Sequence, residues 1–225
     1  EHLNVEKFSN TSAYSPEIAA YNMACSYSLF ILGSFSGQDR RMNGINNLFK
    51  KALVTVKSVI NLLAAGNSCD AVILWRHLHE LECVLITLNT KGEELFFRYV
   101  EHMEYFDLET KPNAEELQKR LSEESKAYGI KEKNAFINYG WLVHVEGFRE
   151  GFGKEYRLNF KEGLQKVAGQ SGRYAAYASA SKILHPSAWV VAIPDDKFYL
   201  FTLLELSKTL TNIVGLIKDY IVRYR

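Results

Sequence analysis

The chain has 225 residues, 47% of them apolar and 13% aromatic, with 27 lysines and arginines against 26 aspartates and glutamates for a net charge of +1. This composition suits a well-packed core in one helical domain spanning 1–225 and excludes a disordered or low-complexity chain. No lysine or arginine block is present, so the charge balance carries no footprint of a nucleic-acid or anionic-membrane binder.

Cys25, Cys69 and Cys83 are odd in number, lack metal-ligand spacing and sit in apolar surroundings, which points to reduced thiols in a cytoplasmic setting. No signal-peptide pattern is visible at the start. Residues 18–38 are uncharged, but Asn22, Ser26, Ser28, Ser34, Ser36 and Gln38 make them a poor lipid segment, so a buried helix and no membrane contact are expected.

In chain order, residues 1–13 are unpatterned, and Ser15 with Pro16 opens a helix through a capping hydroxyl and a ring that presets the first turn. That helix should end near Gly33 or Gly37. A second runs from 39 to 65, with Leu48, Ala52, Val56, Val59, Ile60 and Leu63 at helical period and Gly66 closing it. A third, 68–89, is the most apolar, carrying Leu74, Leu78, Leu81, Leu85 and Leu88 in one stripe. Arg76 and Glu80 lie one turn apart on another face of it, among Cys69, Cys83 and Thr87.

A fourth helix, 92–110, carries Arg98, His102 and Tyr105 on one face. Asn113 with Glu116 signals a capped start for a charged helix, with Glu115–Lys119 and Glu116–Arg120 as expected pairs on a wet outer face. Residues 134–145 form an aromatic, buried-looking segment with His144 at its core or rim, and 147–154 is a glycine-punctuated loop. A short helix spans 160–168, residues 189–193 have extended character, and a last helix spans 195–224. With no strong strand alternation, the fold class is all-α, a bundle of about seven or eight helices.

The chain is organised around residues 174–189, YAAYASASKILHPSAW. At about 100° per residue, Tyr174, Tyr177, Ser181 and His185 share one stripe. Pro186 ends the helix and leaves His185 at the C-terminal edge, where the helix dipole favours a cation. Missing motifs are equally informative. There is no Glu-x-x-His pair, no His-Glu-x-x-His, no paired Cys-x-x-Cys and no phosphate-binding glycine loop, so no metal or cofactor is expected.

The segments RHLHE within LWRHLHELECVLITL, Arg98-Tyr99, NYGWL, and Tyr177, Ser181, His185, Pro186 and Ser187 in a Y-xxx-S-xxx-HPS arrangement together resemble an uncharacterised bacterial all-helical family, the domain of unknown function 5677, over about 47–187. The resemblance implies an all-helical intracellular protein and carries no activity. A looser similarity is to the helical ribonuclease domains of bacterial toxins and phage-defence systems, which have four to six residues between an arginine and a histidine. Arg98 and His102, with three residues between them, depart from that pattern.

Two readings of the polar residues follow. In the first, Arg76, Glu80, Arg98, Ser181 and His185 form a structural centre, and the protein acts by binding a protein partner, with Arg98, His102, Tyr177 and Ser181 as binding groups. In the second, Arg76, Glu80 and His185 are catalytic, the arginines hold a phosphodiester such as RNA, and His185 is a metal-independent acid or base. A buried Arg76–Glu80 pair would make Glu80→Gln costly, about 3–5 kcal/mol. The consecutive apolar residues Phe198, Tyr199, Leu200, Phe201, Leu203 and Leu204 exceed what one inward-facing helix needs, so a two-fold homodimer is expected.

Overall fold

The computed structural model describes residues 14–34, 40–184 and 195–224. The chain is all-α: among the described residues ten α-helices, short 3₁₀ turns and one π turn account for the regular structure, with no strand. They gather into two compact units, Glu1–Leu85 with Arg173–Arg225, and the uninterrupted stretch Ile86–Gly172.

The first unit contains α1 (Ser15–Ser34), α2 (Arg40–Ala64), the start of α3 (Ser68–Thr90), α9 (Tyr174–Leu184) and α10 (Asp195–Tyr224). α2 packs on both α1 and α10 because its apolar positions recur at helical period: Phe49, Ala52, Val56, Val59, Ile60 and Leu63 are all buried. Leu48 is only half-buried. Gly66 ends α2 at φ 81°, where its N–H bonds the Leu63 carbonyl and the next N–H reaches Leu62. That double closure requires a left-handed residue, which glycine adopts without a Cβ penalty. From α10, Leu206, Leu210, Ile213, Ile217 and Tyr220 face inward, and the Tyr220 hydroxyl donates to the Met42 carbonyl at 2.7 Å.

The apolar run at the start of α10 resolves into an inward set and an outward set. Phe198, Tyr199 and Leu203 are buried, whereas Leu200 and Leu204 are exposed. By length and composition one described helix, Lys197–Arg223, is apolar enough to cross a membrane, and 44% of its most apolar window is buried inside the protein.

The second unit contains α4 (Glu93–His102), α5 (Ala114–Ala127), α6 (Lys133–Tyr139), the single turn α7 (Phe148–Gly151) and α8 (Gln165–Val167). The helix expected over 92–110 stops at His102. Phe106 is extended and Asp107 left-handed (φ 52°), so the rest breaks into 3₁₀ turns at Met103–Tyr105 and Leu108–Thr110. α5 buries only Leu117, Leu121 and Ser125, one stripe at spacing four. Its Asn113 side chain makes no capping bond. The expected Glu115–Lys119 and Glu116–Arg120 pairs are replaced by Lys119–Glu123 and Arg120–Glu124, because Arg120 turns toward Tyr105 and Glu104 instead. The aromatic stretch after α6 is a buried 3₁₀ helix, Gly140–His144, with Trp141 edge-on to Tyr99 at 5.1 Å. The expected loop over 147–154 holds the α7 turn.

Candidate functional site

α9 begins where the 3₁₀ turn Ser171–Arg173 ends, and its Tyr177 and Ser181, one turn apart, meet the Arg76 and Glu80 face of α3. Arg76 Nε donates to Ser181 Oγ at 2.8 Å, and Arg76 Nη2 donates to the Tyr177 hydroxyl at 2.5 Å and lies 3.2 Å from Glu80 Oε1. The Tyr177 hydroxyl in turn donates to Glu80 Oε1 at 2.5 Å, and the Arg76 guanidinium stacks over the Tyr177 ring at 4.6 Å. Ser181 gives its own proton back to the Tyr177 carbonyl at 2.9 Å. A serine oriented in this way has no base poised to take that proton, which argues against a nucleophile at this position.

Arg76 and Glu80 are 25% and 30% exposed, so water screens the pair. Their partnership is therefore not the fully buried charge that the sequence suggested. His185, Pro186 and Ser187 lie outside the described residues, as do 1–13, 35–39 and 189–193.

The buried charge sits two residues further along α3. Glu82 is wholly buried, and its two oxygens accept from five directions. His79 Nδ1 donates at 2.8 Å, Thr209 Oγ1 at 2.9 Å and Asn212 Nδ2 at 2.6 Å, while Arg173 Nη1 reaches both oxygens at 2.8 and 2.9 Å. Arg173 also donates from Nε to Glu205 at 3.0 Å and from Nη2 to Thr209 at 2.8 Å, and Lys208 completes the set at 2.6 Å from Glu205. Burial pushes the Glu82 carboxyl up, but the His79 hydrogen bond, the Arg173 charge and the Asn212 donor together hold it below its ordinary value of 4.5. Such a network ties α3, the 3₁₀ turn that leads into α9, and α10 to one another through a single carboxylate.

The pattern did carry a sign of it. Glu82 in LECVLITL and Glu205 in LLELS each have apolar or weakly polar neighbours on both sides, and charges in such surroundings are buried only when paired. Arg173 directly precedes the organising helix.

Arg98 and His102 belong to the second unit and line a cleft of about 470 Å³ there, with Glu101, Glu104, Tyr105, Arg120, Glu124, Tyr128 and His144. Arg98 lies 3.2 Å from both Glu94 and Glu101. Arg120 donates to the Tyr105 hydroxyl at 3.0 Å and to Glu104 at 2.7 Å. His102 is buried with Nε2 at 2.5 Å from the Phe136 carbonyl, so neutral His102 donates there. Gly140 permits this approach, since a Cβ there would meet His102 Cε1 at 2.5 Å. Burial holds the His102 imidazole below its ordinary value of 6.5 despite the Phe136 bond. The cleft wall and then the Arg98 charge do the same for His144, on the exposed rim. Burial pushes the Tyr105 hydroxyl up to about 12. Arg120, Glu124 and Tyr128, at spacing four, are the cleft residues that a charge-rich helix conceals: the same spacing fits a solvated face. No group of three or more histidine, cysteine, aspartate or glutamate residues is placed to hold a metal ion among the described residues.

An all-α helical protein built around a carboxylate-guanidinium core is the class that this architecture defines. Within that class the chain belongs to the Family of unknown function DUF5677, whose family model matches residues 42–192. No curated protein and no solved structure matches it.

Proposed function

We propose that the chain works by binding a partner segment rather than by turning over a substrate, with the Glu82 network and the Arg76–Tyr177–Ser181 cluster as scaffold and the cleft of the second unit as the contact. The observation that carries this reading is that the arginines of these clusters are already committed to carboxylates. Arg76, Arg98, Arg120 and Arg173 all have at least one glutamate partner. A phosphodiester would have to displace those partners.

The cleft sets two guanidiniums against Glu101, Glu104 and Glu124, with its imidazoles held toward the neutral form, so its lining is negative by one charge at neutral pH. That single carboxylate in excess of the two guanidiniums favours a partner segment presenting one lysine or arginine over a nucleic acid. The free thiols of Cys25, Cys69 and Cys83 support a cytoplasmic setting as part of this proposal. The rival reading is a metal-independent ribonuclease of a toxin or phage-defence system that uses His185.

The test pairs calorimetric titration of a lysine-rich peptide with incubation of a single-stranded RNA oligonucleotide in chelator. Peptide binding that Glu124→Gln weakens about two- to fivefold, the scale of an exposed ion pair, with intact RNA, supports the proposal. RNA cleavage by the parent chain that disappears in an equally stable His185→Ala variant overturns it.

A further inference from the structure

α1 is apolar on two opposite sides, and among the described residues its own chain covers one of them. Cys25, Ser28 and Leu32 point inward, and the helix has a single charge, Glu17, in its first turn. On the opposite side Pro16, Ala20, Met23, Tyr27, Phe30 and Ser34 are all exposed, and their spacings alternate four and three. The three large members are 74%, 67% and 73% exposed. Alternation of four and three is the seam of two helices packed knobs-into-holes, narrower and more regular than a core-facing stripe needs. A helix facing water would carry lysine or glutamate there.

We propose that this seam is the interface between two copies of the chain, α1 against α1, antiparallel about a two-fold axis at Tyr27. The face has no charge, so its occupant must offer an uncharged apolar ridge of the same period, and α1 itself is one. The sequence is also self-complementary in the antiparallel sense. With Tyr27 on the axis, small Ala20 lies against small Ser34 of the partner subunit, and Met23 falls one residue from register with the partner's Phe30, within reach of a sulfur-aromatic contact. A parallel pairing would instead stack like on like.

The area is consistent with a modest dimer. Each exposed aromatic offers about 150–250 Å² when fully buried, so three large side chains supply roughly half of the ~800 Å² per partner of a standard interface. Val54, 56% exposed on the neighbouring α2, is the next large apolar group available. This surface is independent of the cleft, and either proposal can fail alone.

The experiment uses the full chain in sedimentation equilibrium across about 1–100 μM, the range of a standard transient interface. The parent chain should be a dimer, Tyr27→Glu should weaken it by at least about tenfold, the loss of one hot-spot contact, with an unchanged far-ultraviolet circular dichroism spectrum, and Val222→Glu should leave it intact. Tyr27→Cys should cross-link to itself on oxidation, whereas Ala20→Cys, far from an antiparallel axis, should not. A parent chain that stays monomeric overturns the proposal, and so does a dimer indifferent to Tyr27→Glu. Flotation with phosphatidylcholine vesicles that depends on Tyr27 would reassign the face to a lipid surface.

Discussion

Replacing Glu82 with glutamine keeps the shape of the side chain but removes the charge on which Arg173 converges and turns an amide N–H₂ toward groups that are themselves donors. His79, Thr209, Asn212 and Arg173 all donate to the two oxygens, so at least one of them is left facing another donor around a fully buried side chain. Removing one partner of a buried ion pair costs about 3–5 kcal/mol. Arg173 is 12% exposed and keeps Glu205, which places the expected loss near the lower end, about 3 kcal/mol. For a chain of this size each kcal/mol is about 2–4 °C in Tm, so Glu82→Gln should melt roughly 6–12 °C lower by circular dichroism. Glu80→Gln is the internal comparison. Its pair is a quarter to a third exposed and should cost only about 1 kcal/mol, as screened pairs do. The gap between the parent chain and Glu82→Gln also has a pH signature. Because the folded-state carboxyl lies below 4.5, its contribution is complete above that value and disappears as pH falls through the lowered one. The gap should therefore narrow in acid. A Glu82→Gln protein melting within about 2 °C of the parent, less than 1 kcal/mol for a chain of this size, or one more stable than Glu80→Gln, would refute the assignment of the core to Glu82.

His102 makes the complementary prediction. Its folded-state pKa is depressed, so the unfolded chain binds the extra proton first, and stability should decline as pH drops below 6.5 and level off only past the folded value. Urea titrations of the parent and His102→Gln at several pH values check this, and a slope common to both proteins would remove His102 as its source. The thiols should separate by accessibility. Burial pushes the Cys25 thiol up to about 11 and raises Cys83 as well, so a disulfide reagent near neutral pH should label half-buried Cys69 first in the native protein. Equal labelling of all three before unfolding would contradict the burial.

Much of the helical layout was legible because helical period and punctuation agree. Ser68 to Thr90, Arg40 to Ala64 and Asp195 to Tyr224 begin and end within a residue or two of where apolar spacing, Gly66 and Pro194 place them. The 92–110 segment failed because a left-handed Asp107 is not announced by any residue type that demands it. Tyr177 and Ser181 were legible as polar groups on one stripe of a small-residue helix, and the structure sets them on Arg76 and Glu80. Glu82 is hidden for a physical reason. A search for pairs one turn apart finds Arg76 and Glu80, whereas Glu82 takes its cation from 91 residues away and its amide donor from 130. Such partners exist only in three dimensions.

The long sequence separation around Glu82 bears on how the chain is made. A ribosome delivers α3 early, but Arg173, Thr209 and Asn212 emerge only after all of Ile86–Gly172, an uninterrupted stretch with its own buried residues. Through that interval the nascent chain carries a carboxylate that has only His79 of its eventual partners. Contacts of this span close slowly, since the loop entropy is lost before they form. The middle stretch is then the part able to fold first, and the two ends complete their shared core last, when α10 arrives. A stop codon before residue 195 would therefore strand Glu82 without Thr209 and Asn212, and leave such a product exposed to proteolysis and aggregation rather than merely shortened.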